Sequence, residues 1–208
     1  MSLASEIAEH LLQIKAIKLS PQSPFTWASG IKSPIYCDNR VSLSYPSVRN
    51  KVKAGFVEKS KSFGPFDVVA GVATAGIPHG AMLADALGLP FIYVRSKPKS
   101  HGRQNLIEGE LPEGAKVLVI EDLISTGGSS IQAVDALRES GAEVIGVLAI
   151  FTYGLSKADE NFSKANCKFA TLSDYDTLLE KATEIGYVEK DALETLQNWR
   201  KDPEHWMN

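Results

Sequence analysis

Residues 116–130 read KVLVIEDLISTGGSS, and their types and spacing already carry a chemistry. An apolar run ends on two carboxylates, Glu121 and Asp122. After Leu123 and Ile124 come Ser125, Thr126, Gly127, Gly128 and Ser129. Glycines let a backbone approach an anion, and hydroxyls add donors. A helix that starts here adds unpaired N–H groups and a partial positive charge. Carboxylates work the other way: they repel phosphate but accept hydrogen bonds from vicinal hydroxyls. A phosphate on one side and a diol on the other describe a ribose 5-phosphate unit. Two commoner phosphate motifs do not fit, because no Lys follows the glycines and no GxGxxG opens the helix. A lone Gly-rich turn can be only a turn, and a lone Asp only a helix cap. The second acid and the preceding apolar run favour a ligand site.

Such a site needs a strand to end where a helix begins. The apolar run predicts a strand over 116–122, and STGGSSIQAVDALRESG predicts a helix over 125–141 that stops at Gly141. The same rhythm extends on both sides. Strands are expected at 67–73, 90–95 and 142–151, a helix at 76–88, and a short strand within 35–40. Continuous apolar strands alternating with helices mean a parallel sheet covered on both faces, with ligands at the carboxyl ends of its strands. Ile7, Leu11 and Ile14 mark an amphipathic helix at the start, and 46–62 reads as another. SPQSPFTWASGIKSP, 20–34, breaks the first helix and is no central strand. The final 35 or so residues read as helical.

The bulk numbers bound the possibilities. The 208 residues suffice for one domain with a real core. Formal charge is −3, which gives no general reason to expect nucleic acid or an anionic membrane as partner. Cys37 and Cys167 stand far apart, which suits a reducing compartment, and they offer no zinc spacing. No apolar run approaches a transmembrane length, and the N-terminus, with Glu6, Glu9 and His10, does not read as a signal peptide. The cytoplasm is the expected location.

One stretch breaks the rhythm. SKPKSHGRQNLIEGELPEGA, 96–115, has little apolar content and no period, and a loop of this length is usually functional or disordered. Arg95, Lys97, Lys99, His101 and Arg103 sit at alternate positions, which an extended chain would turn into one cationic comb. With Gly102 and Gly109 as hinges, the segment reads as a mobile lid spanning tens of ångströms, at about 3.3 Å per residue.

VLVIEDLISTGGSS closely resembles the phosphoribosyl pyrophosphate signature of type I phosphoribosyltransferases. FTWASGIKSPIYCDNR, GVATAGIPHGAMLADALGLP, YVRSKPKSHGRQNLIEG and AIFTYGL narrow the resemblance to the bacterial orotate phosphoribosyltransferases, over most of residues 20–155. The resemblance implies an α/β fold of that type: a central, mostly parallel sheet flanked by helices, with a core over 65–155. A small hood would come from about 1–45 and from the C-terminal segment. It implies transfer of a phosphoribosyl group from phosphoribosyl pyrophosphate to orotate, with Mg²⁺ held mainly by pyrophosphate and ribose. It implies a homodimer whose lids cover each other's sites.

By the same resemblance, Glu121 through Ser129 (Glu121, Asp122, Leu123, Ile124, Ser125, Thr126, Gly127, Gly128, Ser129) bind phosphoribosyl pyrophosphate. Asp122, Lys99, His101 and Arg95 are catalytic, and Ser125, Tyr36 and Cys37 hold orotate. Three departures stand out. Ala28 and Ala75 replace lysines common among relatives, and IFTYGL lacks an orotate-contacting Arg; Lys32 lies near the first gap. His79 reads as structural, and Trp199 and Trp206 as packing or dimer contacts. Two alternatives remain: a phosphoribosyltransferase for a purine base, and a regulator that only senses phosphoribosyl pyrophosphate.

Overall fold

The computed structural model describes residues 2–27, 30–97, 106–203, 205 and 206. The chain opens with α1 (Leu3–Gln13), whose N-cap Ser2 accepts a hydrogen bond from Ser5 N. Short strands follow: β1 (Ile17–Leu19), β2 (Phe25–Thr26), β3 (Lys32–Ser33) and β4 (Ile35–Cys37). A 3₁₀ turn, Asn39–Ser44, leads into α2 (Pro46–Ser60), which starts on a proline as helices tolerate. The core then alternates β5 (Val68–Val72), α3 (Gly76–Leu87), β6 (Phe91–Val94), β7 (Ile107–Glu108), β8 (Lys116–Ile124), α4 (Gly128–Glu139), β9 (Glu143–Thr152), α5 (Ser156–Lys164) and β10 (Phe169–Asp174). Helices α6 (Tyr175–Glu184) and α7 (Ala192–Lys201) complete the chain.

The main sheet has the order β10-β9-β8-β5-β6-β7. All neighbours are parallel except β7, which pairs antiparallel with β6. Alternate residues of the central strands enter two cores. Leu118, Ile120, Leu148 and Ile150 join one with α1, α2, α3 and α6, while Val117, Val119, Val147 and Ala149 join the other with α4 and α5. The expected α/β sheet with helices on both faces is therefore present. Among the described residues, no helix is long and apolar enough to cross a membrane.

Three glycines bring α3 unusually close to the sheet. A Cβ on Gly76 would lie 2.4 Å from Ile120 O, and one on Gly71 would lie 2.9 Å from Gly76 O. A Cβ on Gly80 would meet Phe91 Cε2 at 2.8 Å. Such distances leave no room for a side chain, so only glycine permits this approach. The approach sets the turn 73–75, after β5, beside Glu121 on β8.

One expectation changes, and one unread stretch is filled. The stretch 96–115 is not a single loop, since Ile107 is buried and β7 adds an edge strand. Residues 152–173, where the sequence reading names no element, contain α5 and β10. Helix α5 buries only Ala158 and Phe162, and β10 is an edge strand with a mixed burial pattern, so neither leaves a strong periodic trace.

Candidate active site

Strand β8 runs past the two acids. Glu121 pairs with Ala149, Leu123 with Phe151 and Ile124 with Thr152. Thr152 Oγ1 and Tyr153 N both donate to Ile124 O, at 3.0 and 3.3 Å, which holds the strand ends together. Glu121 to Ile124 are thus strand residues, and the turn shrinks to Ser125–Gly127. Gly127 adopts a left-handed φ of 80°, and a Cβ there would strike Phe162 Cε2 at 2.6 Å. Helix α4 starts at Gly128 with no side-chain cap, so its first N–H groups have no intrahelical partner. A Cβ on Gly128 would meet only Thr126 Oγ1, at 4.0 Å, so the space before the helix is open. An uncapped helix start facing open space has the geometry of an anion cradle.

The acids lie directly beside it. Glu121 is 4% exposed. Its carboxyl accepts from Asp122 N at 3.1 Å, Ser130 Oγ at 3.3 Å and Ser129 Oγ at 3.4 Å. Burial, reinforced by the Asp122 charge, pushes the Glu121 carboxyl up to about 8. Burial raises Asp122 as well, while its hydrogen bond with Glu121 and the nearby Arg40 charge work against that. At neutral pH burial therefore favours a protonated Glu121 carboxyl beside Asp122. One charge repels a phosphate less than two, and the pair can both donate to and accept from a diol. Asn39 Nδ2 donates to Asp122 O at 2.8 Å and ties the N-terminal segment to this strand end.

A cavity of about 280 Å³ opens next to the acids, lined by Thr26, Trp27, Tyr36, Cys37, Leu123, Ser125 and Tyr153. It unites the three residues expected at a base, Tyr36, Cys37 and Ser125. Hydrogen bonds from Ser20 N to Pro34 O and from Asp38 N to Ala16 O fix the β1–β4 register. The antiparallel alternation then engages the Tyr36 backbone with Lys18 and turns the Cys37 N–H and C=O the other way. Cys37 thus supplies the free backbone edge. Its thiol is raised well above the usual range, by burial first and then by Asp122 and Asp38, which opposes a nucleophilic role.

Trp27, Thr26 and Tyr153 had no role in the sequence reading. Tyr153 directly follows a parallel strand adjacent to β8, and that place was a usable signal. Trp27 stacks on Tyr153 at 5.2 Å, and Trp199 meets both rings edge-on, at 5.6 and 5.7 Å. Each such pair adds about 0.5–1.5 kcal/mol beyond area burial. Trp199 is fully buried and is a packing residue. His79 is fully buried as well, and burial pushes it down to about 4, so it stays neutral in the core.

Of the expected cationic comb, Arg95 and Lys97 are among the described residues. Arg95 N donates to Leu106 O at 2.8 Å, and its guanidinium pairs with Glu108 at 3.2 Å. It follows β6, two strand spacings from β8, or about 10 Å. Residues 96 and 97 bend instead of continuing extended, which breaks the alternation at its first step. Lys99, His101 and Arg103, like Ala28, lie outside the described residues. Lys32 Nζ donates to Thr26 Oγ1 at 2.8 Å, at the rim of the cavity.

The raised Glu121 carboxyl has a measurable consequence. The folded chain holds a proton that the unfolded chain loses above its ordinary carboxylate range, so this group destabilises the fold as pH rises from about 4.5 to about 8. Glu121→Gln removes the effect. Its melting temperature relative to wild type is expected to be about 3 °C or more higher at pH 8.5 than at pH 5, without ligand. An equal difference at both pH values would contradict the assignment.

Comparison with known proteins agrees with this geometry. Residues 45–175 match the family model described as "Phosphoribosyl transferase domain". The chain is 58% identical, over 96% of its length and 94% of the relative's, to an orotate phosphoribosyltransferase of Bacteroides thetaiotaomicron. It is 56% identical to one of Listeria monocytogenes, over 99% of both. Among solved structures, it is similar to orotate phosphoribosyltransferase from Aeropyrum pernix, with a TM-score of 0.77 and 29% identity over 88% of this chain and 99% of that one. With these identities over nearly its whole length, the chain belongs to the orotate phosphoribosyltransferase family.

Proposed function

We propose that the chain transfers the 5-phosphoribosyl group from phosphoribosyl pyrophosphate to orotate, giving orotidine 5′-monophosphate and pyrophosphate in pyrimidine nucleotide synthesis. The observation that carries this is the contiguity of the three subsites through Ser125, which lines the base cavity and opens the turn into the cradle. The N–H groups of Gly128 and Ser129, with the Thr126 hydroxyl, hold the 5-phosphate. Asp122 and Glu121 hold the ribose hydroxyls. That places C1 between the acids and the cavity, where N1 of orotate attacks as the C1–O bond to pyrophosphate breaks. The transition state has oxocarbenium character, and negative charge builds on the leaving group. Mg²⁺ prefers one or two carboxylates together with substrate phosphates, so Asp122 and Glu121 would be the residues to help hold an ion carried mainly by the pyrophosphate and ribose. When bound, the ion supplies positive charge to the pyrophosphate.

Ser125 and the Cys37 backbone suit a polar pyrimidine. A panel of orotate, uracil, hypoxanthine, guanine and adenine with phosphoribosyl pyrophosphate and Mg²⁺ tests the assignment. Orotate alone should turn over. Hypoxanthine converted faster than orotate would favour the purine-base alternative, and no turnover of any base would favour the sensor.

The lid belongs to the same proposal. Its ends are pinned together where Arg95 N meets Leu106 O, so the chain between them reaches out and back by at most about 16 Å, less than a free 96–115 loop would. Arg95 already pairs with Glu108 in its own chain, which leaves room for cations from a second subunit. In a homodimer, Lys99 and His101 act across the interface while Asp122 acts in its own chain. Co-refolding the inactive variants Lys99→Ala and Asp122→Asn makes half the dimers mixed, each with one intact site. Activity should then return to roughly a quarter of wild type. Mixed dimers that form without any recovery would place the lid over its own chain's site.

A further inference from the structure

The base cavity poses a problem of charge. Orotate carries a carboxylate, yet Thr26, Trp27, Tyr36, Cys37, Leu123, Ser125 and Tyr153, the described residues that line the cavity, include no cation. The segment IFTYGL at the end of β9 carries no cation either, and it places Tyr153 at the cavity. We propose that Tyr153 is the specificity-determining residue of this site, its hydroxyl donating to the carboxylate edge of the pyrimidine. The inference rests on the reaction proposed above and deepens it.

Geometry supports the assignment. Tyr153 follows Thr152, which pairs with Ile124, so it stands beside Ser125 at the mouth of the cradle. Its ring is enclosed by Trp27 at 5.2 Å, Trp199 at 5.7 Å and Phe151 at 5.9 Å. Thr152 Oγ1 accepts from Gly154 N at 3.1 Å and donates to Ile124 O, so the backbone on both sides is pinned. The residue is 3% exposed but lines the cavity, so its surface toward the ligand is small and fixed. It shares the cavity wall with Tyr36, Cys37 and Ser125, the residues expected at the base. Burial, the largest cause, holds that phenol far above its usual range, so it stays a neutral donor at any working pH.

A neutral donor in a closed site discriminates strongly. It makes a charge-assisted hydrogen bond to a carboxylate, and it is left without that partner by a base that lacks one. A buried guanidinium would need its own counter-charge, and Asp122, the nearest acid, is engaged with Glu121 and the ribose. Lys32, bonded to Thr26 at the rim, adds a longer-range positive field without entering the cavity.

Tyr153→Phe keeps the ring and removes only the donor. The wild type is assayed first, since failure to convert orotate would refute the reaction and not this role. With orotate turnover established, the variant should show a KM for orotate raised about ten- to a hundredfold, from the loss of one hydrogen bond to a charged group. Its KM for phosphoribosyl pyrophosphate should stay within about twofold, and its melting temperature within about 2 °C. Its preference for orotate over uracil should fall by a similar factor. Quenching of Trp27 fluorescence by orotate, in the presence of pyrophosphate-free ribose 5-phosphate, gives an independent affinity and should weaken in parallel. An unchanged orotate KM, or equal rises in both KM values, would overturn the proposal.

Discussion

Two carboxyl groups withdrawn from water at the end of β8 set the terms for the rest of the molecule. Isolated in a low-dielectric site, two adjacent acids would repel each other and lose hydration. Here Ser129, Ser130 and the Asp122 N–H donate to Glu121, and burial holds that carboxyl well above its usual range. Those serines sit in the first turn of α4, so the helix that offers N–H groups to an anion also steadies the acids. The two subsites cannot be separated structurally. On the other side, α3 comes close enough to touch Ile120 O only because position 76 is glycine. Acid pair, cradle and the 73–75 turn therefore meet at one strand end.

The N-terminal segment and α7 form the second constraint. Asn39 hooks onto Asp122 O, and the Trp27, Tyr153 and Trp199 cluster ties the N-terminal segment and α7 to the end of β9. Tyr175 Oη donates to Leu196 O and fastens α7 to the start of α6. A rigid aromatic wall beside a polar backbone edge is a sound way to hold a flat, polar ring. It places neutral donors where a charged side chain would be costly to bury.

Much of this was legible in the sequence, for identifiable reasons. Strands β5, β8 and β9 are buried on both faces and so read as continuous apolar runs. Glu121, Asp122, Gly127 and Gly128 follow from the chemistry of phosphate and diol. Tyr36, Cys37 and Ser125, far apart in the chain, do share one cavity. What could not be read depended on tertiary contact. The extension of β8 through Ile124 is set by its pairing with β9. The engagement of Arg95 with Glu108 requires the edge strand β7, which two residues in a polar stretch do not announce. Tyr153 lies beyond the strand expected at 142–151, and only the tertiary fold brings it to the cavity, packed on Trp27.

The central claim is that the open space before α4 is where the substrate's phosphate sits. Gly128→Ala tests it most directly, because the added methyl meets nothing in the protein closer than Thr126 Oγ1 at 4.0 Å. Alanine is at least as good a helix former as glycine, so the melting temperature should hold or rise slightly. The KM for phosphoribosyl pyrophosphate should rise about tenfold or more, since backbone contact with the anion is blocked. A stable Gly128→Ala protein with an unchanged KM would show that the phosphate binds elsewhere.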